Sequence, residues 1–145
     1  TLAIQKCLEM AGLTYKDIDV VAVGRDRHAN VRKKIEFVLK SPSNLLNFAK
    51  IRASRSAMDD MKTLLIKECG WDSAQVRFEV HHVEHHLAHL ASAYYISPWE
   101  KAAGFSVDGS GDFVTVMIGD CEGPDIKVAH RIFLHTSLGN IYFMI

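Results

Sequence analysis

The spacing of apolar residues changes from helical to strand-like near the start of the chain. Four apolar residues fit a helical repeat: Leu2, Ile4, Leu8 and Ala11. Gly12 follows at a position that suits a helix end. Residues 18–23 then form a nearly continuous apolar run that Gly24 ends, which is typical of a strand covered on both faces. A helix followed by a buried strand indicates an α/β architecture.

A second helical stripe lies before the middle of the chain. Its apolar members are Met58, Met61, Leu64 and Leu65. Asp59 and Asp60 precede them and Lys67 follows, as the helix dipole favours, and Gly70 is the expected end. This spacing favours core packing over an adaptable methionine-rich binding surface. Ser43 can cap another short helix that reaches Phe48.

The pattern then passes from a strand into a helix. Val76, Phe78 and Val80 alternate with polar residues, which predicts a strand that is buried on one face. The next apolar residues recur at helical spacing: Leu87, Leu90, Ala91 and Tyr94. We therefore predict a helix over residues 85–95, ended by Ser97 and Pro98.

Two apolar runs, residues 102–107 and 113–118, indicate a hairpin. The intervening residues are Asp108, Gly109, Ser110, Gly111 and Asp112. We predict that they form the turn, because glycine permits positive φ and lets backbone N–H groups approach phosphate oxygens. Residues 126–134 predict a third antiparallel strand. Thr136 or Ser137 can then cap a helix whose first turn contains Gly139, which is either an anion site or simply a well-capped helix.

Histidines supply the candidate chemistry, since five of the eight lie within nine residues: His81, His82, His85, His86 and His89. On the predicted helix His85 and His89 stand one turn apart, so both rings can reach one cation. His86 and His89 are a less suitable pair. A single histidine is usually structural, but this spacing favours a metal. An alternative is the HxxEH pattern of zinc peptidases, with Glu84 as base, which requires one continuous helix from His81 to His85.

These segments resemble a known family. The stretch HHLAHLASAYYISPWEKAAGFSVDGSGD, followed by HTSLGNIY, is similar to the carbamoyltransferases of nodulation and antibiotic biosynthesis, in their amino-terminal Kae1-like domain. The resemblance implies a mixed sheet with flanking helices of the actin, Hsp70 and sugar-kinase (RNase H-like) type, here incomplete. It covers the second half of the chain well and the first half more loosely.

The resemblance also implies a site. A divalent metal, usually iron(II) in this family, would be bound by His85, His89 and Asp108. Phosphate or nucleotide would contact six residues: Gly109, Ser110, Gly111, Asp112, Ser137 and Gly139. Independently of the resemblance, three further histidines are candidates for supporting the ligands by hydrogen bonds or for structural roles: His81, His82 and His86. No catalytic acid or base is assigned.

The implied reaction has two stages. ATP and carbamoyl phosphate form a carbamoyl-adenylate in a separate YrdC-like domain, and the Kae1-like domain passes the carbamoyl group to a hydroxyl of a sugar or natural product. We expect residues 1–145 to be part of a longer chain, inactive alone, with the carboxy-terminal half and the YrdC-like domain outside it. A homodimer is compatible with the resemblance. The alternatives are a related hydrogenase-maturation or tRNA-modification module, a non-catalytic actin-like nucleotide-binding module, and the zinc peptidase.

Composition limits the classes of molecule that the chain is expected to bind. The 17 basic residues equal the 17 acidic residues, so no overall field favours nucleic acid or an anionic membrane. No apolar run approaches the roughly 20 residues of a membrane span. The basic stretch from Arg25 to Lys34 is either an anion-binding loop or a solvated face, and the second is favoured. Cys7, Cys69 and Cys121 form an odd, dispersed set, which favours a reducing cytoplasm over a disulfide framework.

Overall fold

The computed structural model describes residues 2–40 and 60–133. Several predictions fall outside these ranges: the helix capped by Ser43, the contributions of Met58 and Asp59, and the helix capped by Thr136 or Ser137 that contains Gly139. The α/β class is confirmed within the described ranges, which contain helices together with both parallel and antiparallel strand pairs.

The helices are α1 (Leu2–Ala11), α2 (Val31–Lys40), α3 (Met61–Cys69) and α4 (His85–Tyr94), with a short 3-10 helix at Tyr15–Asp17. The strands are β1 (Val20–Val23), β2 (Glu79–His82), β3 (Lys101–Gly111), β4 (Val114–Glu122) and β5 (Asp125–Phe133). β1 pairs with β2, and β3, β4 and β5 form an antiparallel meander. The N–H groups of Glu79 and Val83 donate to the carbonyls of Asp19 and Val23, so β1 and β2 run in the same direction.

The chain divides into two compact units, and the first contains described residues 2–22, 38–40 and 60–81. Its core consists of Leu65, Val76 and Phe78. Tyr15 and Trp71 stack beside this core with ring centroids 5.3 Å apart. The predicted burial of Val76 and Phe78 is therefore confirmed, but the strand is shorter than predicted, because β2 begins only at Glu79.

Both ends of α3 follow the predicted chemistry. The Asp60 carboxylate accepts the N–H of Thr63 at 3.0 Å, which satisfies one of the free donors at the helix start. Gly70 ends the helix in the left-handed conformation, with φ of 67°, as a residue without Cβ can do at low cost.

Strand β1 differs from the prediction of a strand covered on both faces. Val20 and Ala22 are exposed, whereas Val21 and Val23 are half-buried, and Val21 packs against the core of the first unit. A continuous apolar run records composition only. It does not say which neighbours are present, and within residues 2–40 and 60–133 only one face is packed.

The second unit contains described residues 23–37 and 82–133. Helix α4 packs on the meander, and the core between them consists of Leu90, Val114 and Met117. Gly104 on β3 lies directly opposite Gly119 on β4, and a Cβ at either position would stand about 3 Å from a methyl group of Leu90. The paired glycines therefore form a shallow depression that receives Leu90.

The tip of the hairpin lies farther along the chain than predicted. Strand β3 continues through Gly111, which pairs with Val114, so only Asp112 and Phe113 form the turn. Their φ angles are 49° and 76°, the signs that a two-residue turn of the I′ class requires. The Phe113 ring is buried against Phe37 and Phe133, and this packing offsets its unfavourable backbone conformation.

Replacing Gly104 with valine should lower the free energy of unfolding by about 1–3 kcal/mol, because the new methyl groups meet Leu90 and Cys121 in a packed interface. Ala103→Val is the matched control: the neighbouring position on the same strand is exposed, so the change should stay within about 0.5 kcal/mol. Urea unfolding measures both. Equal effects of the two substitutions would contradict the role given to the glycine pair.

Candidate metal centre

Helix α4 and strand β3 bring together the three side chains that the resemblance assigns to a metal. His85 lies in the first turn of α4, His89 lies one turn later, and Asp108 lies on β3. The Nε2 atom of His85 is 2.8 Å from Oδ2 of Asp108 and 3.1 Å from Nε2 of His89. The three residues can each offer one atom so that all lie within 4.8 Å of one another.

The orientation of the His85 ring leaves its outer nitrogen as an acceptor. Its Nδ1 atom is 3.2 Å from the carbonyl oxygen of Gly24, and since a carbonyl only accepts, Nδ1 carries the proton. In the neutral ring Nε2 then presents a lone pair to the carboxylate of Asp108 and to Nε2 of His89. A proton on Nε2, donated to Asp108, or a metal ion bound by all three side chains would relieve this meeting of acceptors.

The donor set fits a divalent metal. Ligand atoms about 2.1 Å from a common ion and at right angles to each other lie about 3 Å apart. Two of the three distances here are close to that value, and the third, from Nε2 of His89 to Oδ2 of Asp108, is 3.8 Å. Two imidazoles and one carboxylate, with further positions open, are the donor set of non-haem iron(II) sites. The side chains of His85, His89 and Asp108 are 29%, 51% and 43% exposed, so one side of the group is accessible to a substrate.

Asp108 is held in its ionised form. The His85 ring beside it, followed by the N–H of Gly109, lowers the pKa of Asp108 below its usual value. The Gly109 N–H donates to Oδ1 of Asp108 at 2.6 Å. This backbone donor therefore orients the carboxylate.

Gly111 is required for steric reasons at this site. A Cβ atom at this position would overlap the ring carbons of His85. Neither Gly109 nor Gly111 has a positive φ. In this hairpin the residues with positive φ are Asp112 and Phe113. The glycine at position 111 thus allows β3 to approach the face of α4 that carries His85.

Asp112 is engaged by backbone donors. Its Oδ2 atom accepts the N–H of Asp26 at 2.7 Å and that of His85 at 2.9 Å. Its carbonyl accepts the side-chain amide of Asn30 at 3.1 Å. Of the other residues expected near phosphate, Ser110 is exposed on β3, while Ser137 and Gly139 lie outside the described residues.

His86 lies in the core, with none of its surface exposed. Its Nε2 is 2.9 Å from the carbonyl of Val114 and must donate to it, and its Nδ1 is 2.8 Å from the hydroxyl of Ser106. Burial lowers the pKa of His86, so the ring is neutral at pH 7. It shares a helix with His85 and His89 but serves to pair two buried polar groups.

The remaining two histidines lie outside the helix. His81 and His82 end β2 and are exposed, with Nδ1 of His82 at 2.9 Å from the carbonyl of Arg25. The peptidase pattern needs His81 and His85 on one helix, whereas β2 ends at His82 and α4 begins at His85. The geometry for that alternative is absent from these residues.

The sequence analysis did not predict two polar contacts that hold the start of α4. Glu84 forms an ion pair with Arg131 of β5, with Nη2 at 2.7 Å from Oε2, and accepts the amide of Asn30 at 2.8 Å. Burial raises the pKa of Glu84, but the hydrogen bonds from Arg131 and Asn30 outweigh it and lower the pKa overall. Both partners of Glu84 are distant from it in sequence, so no periodic pattern predicts these contacts. Asn30 has a φ of 59°, which asparagine adopts more readily than most residues, and its residue type was the one local indication of an unusual backbone there.

The basic stretch includes the start of α2, which the sequence did not predict. Arg32 and Lys33 both pair with Glu36 on the helix surface, in agreement with a solvated face. Lys34 donates to the carbonyl of Arg27 at 2.9 Å, and burial lowers the pKa of Lys34.

None of the helices in residues 2–40 and 60–133 combines the length and apolar character needed to cross a membrane.

An α/β unit with two imidazoles and a carboxylate around one point is a candidate metal-binding domain. Residues 1–145 match the model of one family, described as "Carbamoyltransferase N-terminus". The chain belongs to this carbamoyltransferase family, as the histidine and glycine segments suggested.

Two curated relatives match nearly the whole chain. The nodulation protein NolNO of Sinorhizobium fredii is 29% identical over 97% of this chain and 19% of its own length. The uncharacterized protein sll1178 of Synechocystis sp. is 29% identical over 98% of this chain and 24% of its own length. The chain therefore spans about a fifth to a quarter of each relative.

Gly111→Ala should displace the His85 ring, because the added methyl group and the ring cannot occupy the same space. We expect a loss of about 1–3 kcal/mol in the free energy of unfolding, from overpacking, and a rotated His85 side chain in a crystal structure of the variant. Ser110→Ala, at the exposed neighbouring position, should leave both unchanged. An unmoved His85 in Gly111→Ala would show that the strand, not the ring, gives way.

His86→Phe should lower the free energy of unfolding by about 1–3 kcal/mol at neutral pH, because Ser106 and the Val114 carbonyl lose their partner. The deficit should shrink in acid. The pKa of His86 is lowered on folding, so the wild type itself loses stability as pH falls below 6.5, the ordinary value at which the unfolded chain takes up the proton. His81→Phe is the exposed control, and a pH-independent deficit would argue against a neutral buried ring.

Proposed function

We propose that this chain forms the metal-binding part of an enzyme that transfers a carbamoyl group to a hydroxyl of a sugar or natural product. The donor would be a carbamoyl-adenylate made from carbamoyl phosphate and ATP. The observation that carries the proposal is the convergence of His85, His89 and Asp108 in a member of the carbamoyltransferase family.

The ligand residues would orient the adenylate on their accessible side. His85 is held by the Gly24 carbonyl, so its Nε2 points toward Asp108 and His89 without further reorganisation. A divalent ion, for which we propose iron(II), would supply Lewis-acid stabilisation of the charge that develops on the phosphate of the leaving group. Preorganised ligands make such stabilisation effective, because little must move when the charge appears.

Phosphate contacts from the hairpin are proposed on fewer residues than the sequence suggested. Ser110 is exposed on β3 and can donate its hydroxyl to a phosphate oxygen. The Gly109 N–H is directed to Asp108, and the Asp112 carboxylate is directed to backbone donors, so both support the site from within the protein. Ser137 and Gly139 remain proposals from the resemblance.

The finer fold and the partners are part of the same proposal. A parallel strand pair, an antiparallel meander and flanking helices are the components of the actin and Hsp70 type of mixed sheet. The partners would be a YrdC-like domain of the same protein and the hydroxyl acceptor, and a homodimer is compatible with them. We also propose a cytoplasmic location, in keeping with three cysteines that are all free thiols.

Removal of a ligand should abolish metal binding and carbamoyl transfer together. In the complete protein we expect His85→Ala and Asp108→Ala each to weaken iron(II) affinity by more than about 100-fold, beyond the effect of losing a supporting residue. Both variants should keep a melting temperature close to the wild type, because these side chains are partly exposed. Anaerobic calorimetry with iron(II) and zinc, together with a transfer assay, measures the three quantities.

His130→Ala is the matched control, since it removes an exposed imidazole from β5 without touching α4. It should retain affinity and transfer. Full transfer by His85→Ala would refute the proposal. Nucleotide binding by a protein that shows no affinity for metal would instead favour the non-catalytic nucleotide-binding module.

A further inference from the structure

We propose that Asp112 is a positioning residue for His85, and that its carboxylate sets the orientation that this ligand needs. The inference rests on the proposed metal site and adds no ligand to it. It also replaces the phosphate-binding role that the sequence suggested for Asp112.

One oxygen of Asp112 joins two segments that are far apart in sequence. Its Oδ2 atom accepts the N–H of His85, in the first turn of α4, and the N–H of Asp26, in the loop after β1. Hydrogen bonds to an ionised carboxylate are stronger than neutral ones. The start of α4 and the loop are therefore held at a defined distance from each other by one atom.

The loop that Asp112 holds also carries the group that orients the His85 ring. The Gly24 carbonyl, two residues before Asp26, accepts the proton of His85 Nδ1 at 3.2 Å. A hydrogen bond at one ring nitrogen fixes the tautomer and direction of the other, and such partners tune metal affinity. The Asp112 carboxylate thus acts on His85 twice, through its backbone directly and through its ring by way of the loop.

Asp112 is itself held in place. Its φ of 49° belongs to the two-residue turn, and its carbonyl accepts the amide of Asn30. The same amide group donates to Glu84, the residue before α4, which pairs with Arg131. A phosphate at the Asp112 carboxylate would meet a negative charge and compete for donors already used. The contacts support positioning instead.

Two substitutions distinguish the effect of the Asp112 hydrogen bonds from the effects of its charge and of its backbone conformation in the turn. Asp112→Gly removes the carboxylate while keeping positive φ accessible without a steric penalty. Asp112→Asn keeps an accepting oxygen, removes the charge and tolerates the same φ. In the complete protein we expect Asp112→Gly to weaken iron(II) and cobalt(II) affinity by about 10–100-fold, as loss of a supporting residue does. The absorption spectrum of bound cobalt(II) should also change. Asp112→Asn should fall between the wild type and Asp112→Gly in affinity and spectrum, because it keeps the acceptor oxygen and loses only the charge.

Two controls test for general effects. Asp120→Asn neutralises an exposed carboxylate on β4 that has no part in these contacts, and it should leave affinity unchanged. Thr115→Val removes a buried hydroxyl that donates to the Ile132 carbonyl, so it should lower the melting temperature without altering the cobalt spectrum. Affinity would then be shown to follow His85 orientation, not overall stability.

The results that would overturn the inference are distinct from those that would overturn the proposed function. Wild-type affinity and spectrum in Asp112→Gly would remove the positioning role, as would equal losses in Asp112→Asn and Asp112→Gly. If the wild type bound no metal, the proposed function would fail. A crystal structure of metal-free Asp112→Gly would still decide the positioning role, by showing the His85 ring either rotated away from Gly24 or unmoved.

Discussion

The close approach of α4 to the hairpin of β3 and β4 is the constraint on which the rest of the second unit depends. Three glycines face the helix: Gly104, Gly111 and Gly119. The first and last receive Leu90, and the second leaves room for His85. Any side chain there would push the helix outward. The proposed metal site would tolerate displacements of only about 0.5 Å, so packing and the proposed chemistry share one requirement.

Neighbouring histidines on α4 acquire different properties because consecutive residues of a helix point in directions about 100° apart. His86 points into the core, where burial keeps it neutral and two hydrogen bonds satisfy its ring. His85 points along the hairpin toward Asp108, and His89 stands beside it at the solvent-accessible edge. The residue type alone does not separate a structural ring from a candidate ligand, whereas the direction of its side chain does.

Local patterns predicted most of the described elements. The periodicity of Leu87, Leu90 and Tyr94 located α4 to within a residue, and Asp60 and Gly70 marked the ends of α3. The one-turn spacing of His85 and His89 anticipated that their rings would meet. These predictions held because they depend on interactions within one helical turn.

Features that depend on distant partners were not predictable in this way. Glycine composition placed the hairpin turn too early, because Gly111 serves the approach to His85 and not backbone reversal. The apolar run of β1 did not reveal that one face stays uncovered among the described residues. Asn30 and Arg131 act through hydrogen bonds across the fold, for which a single sequence carries no periodic signal.

The sequence separations within the site have a consequence for how the protein assembles. His85, His89 and Asp108 lie on a helix and the strand that follows it, whereas the hydrogen bond from Asp26 to Asp112 closes a separation of 86 residues. Closing a longer loop costs more conformational entropy, and long-range contacts slow folding. The expected order is therefore that α4 and its hairpin collapse first, gathering the three side chains into a loose group. The loop after β1 docks later and gives His85 its final orientation, so the three side chains come together before they reach the geometry of the finished site.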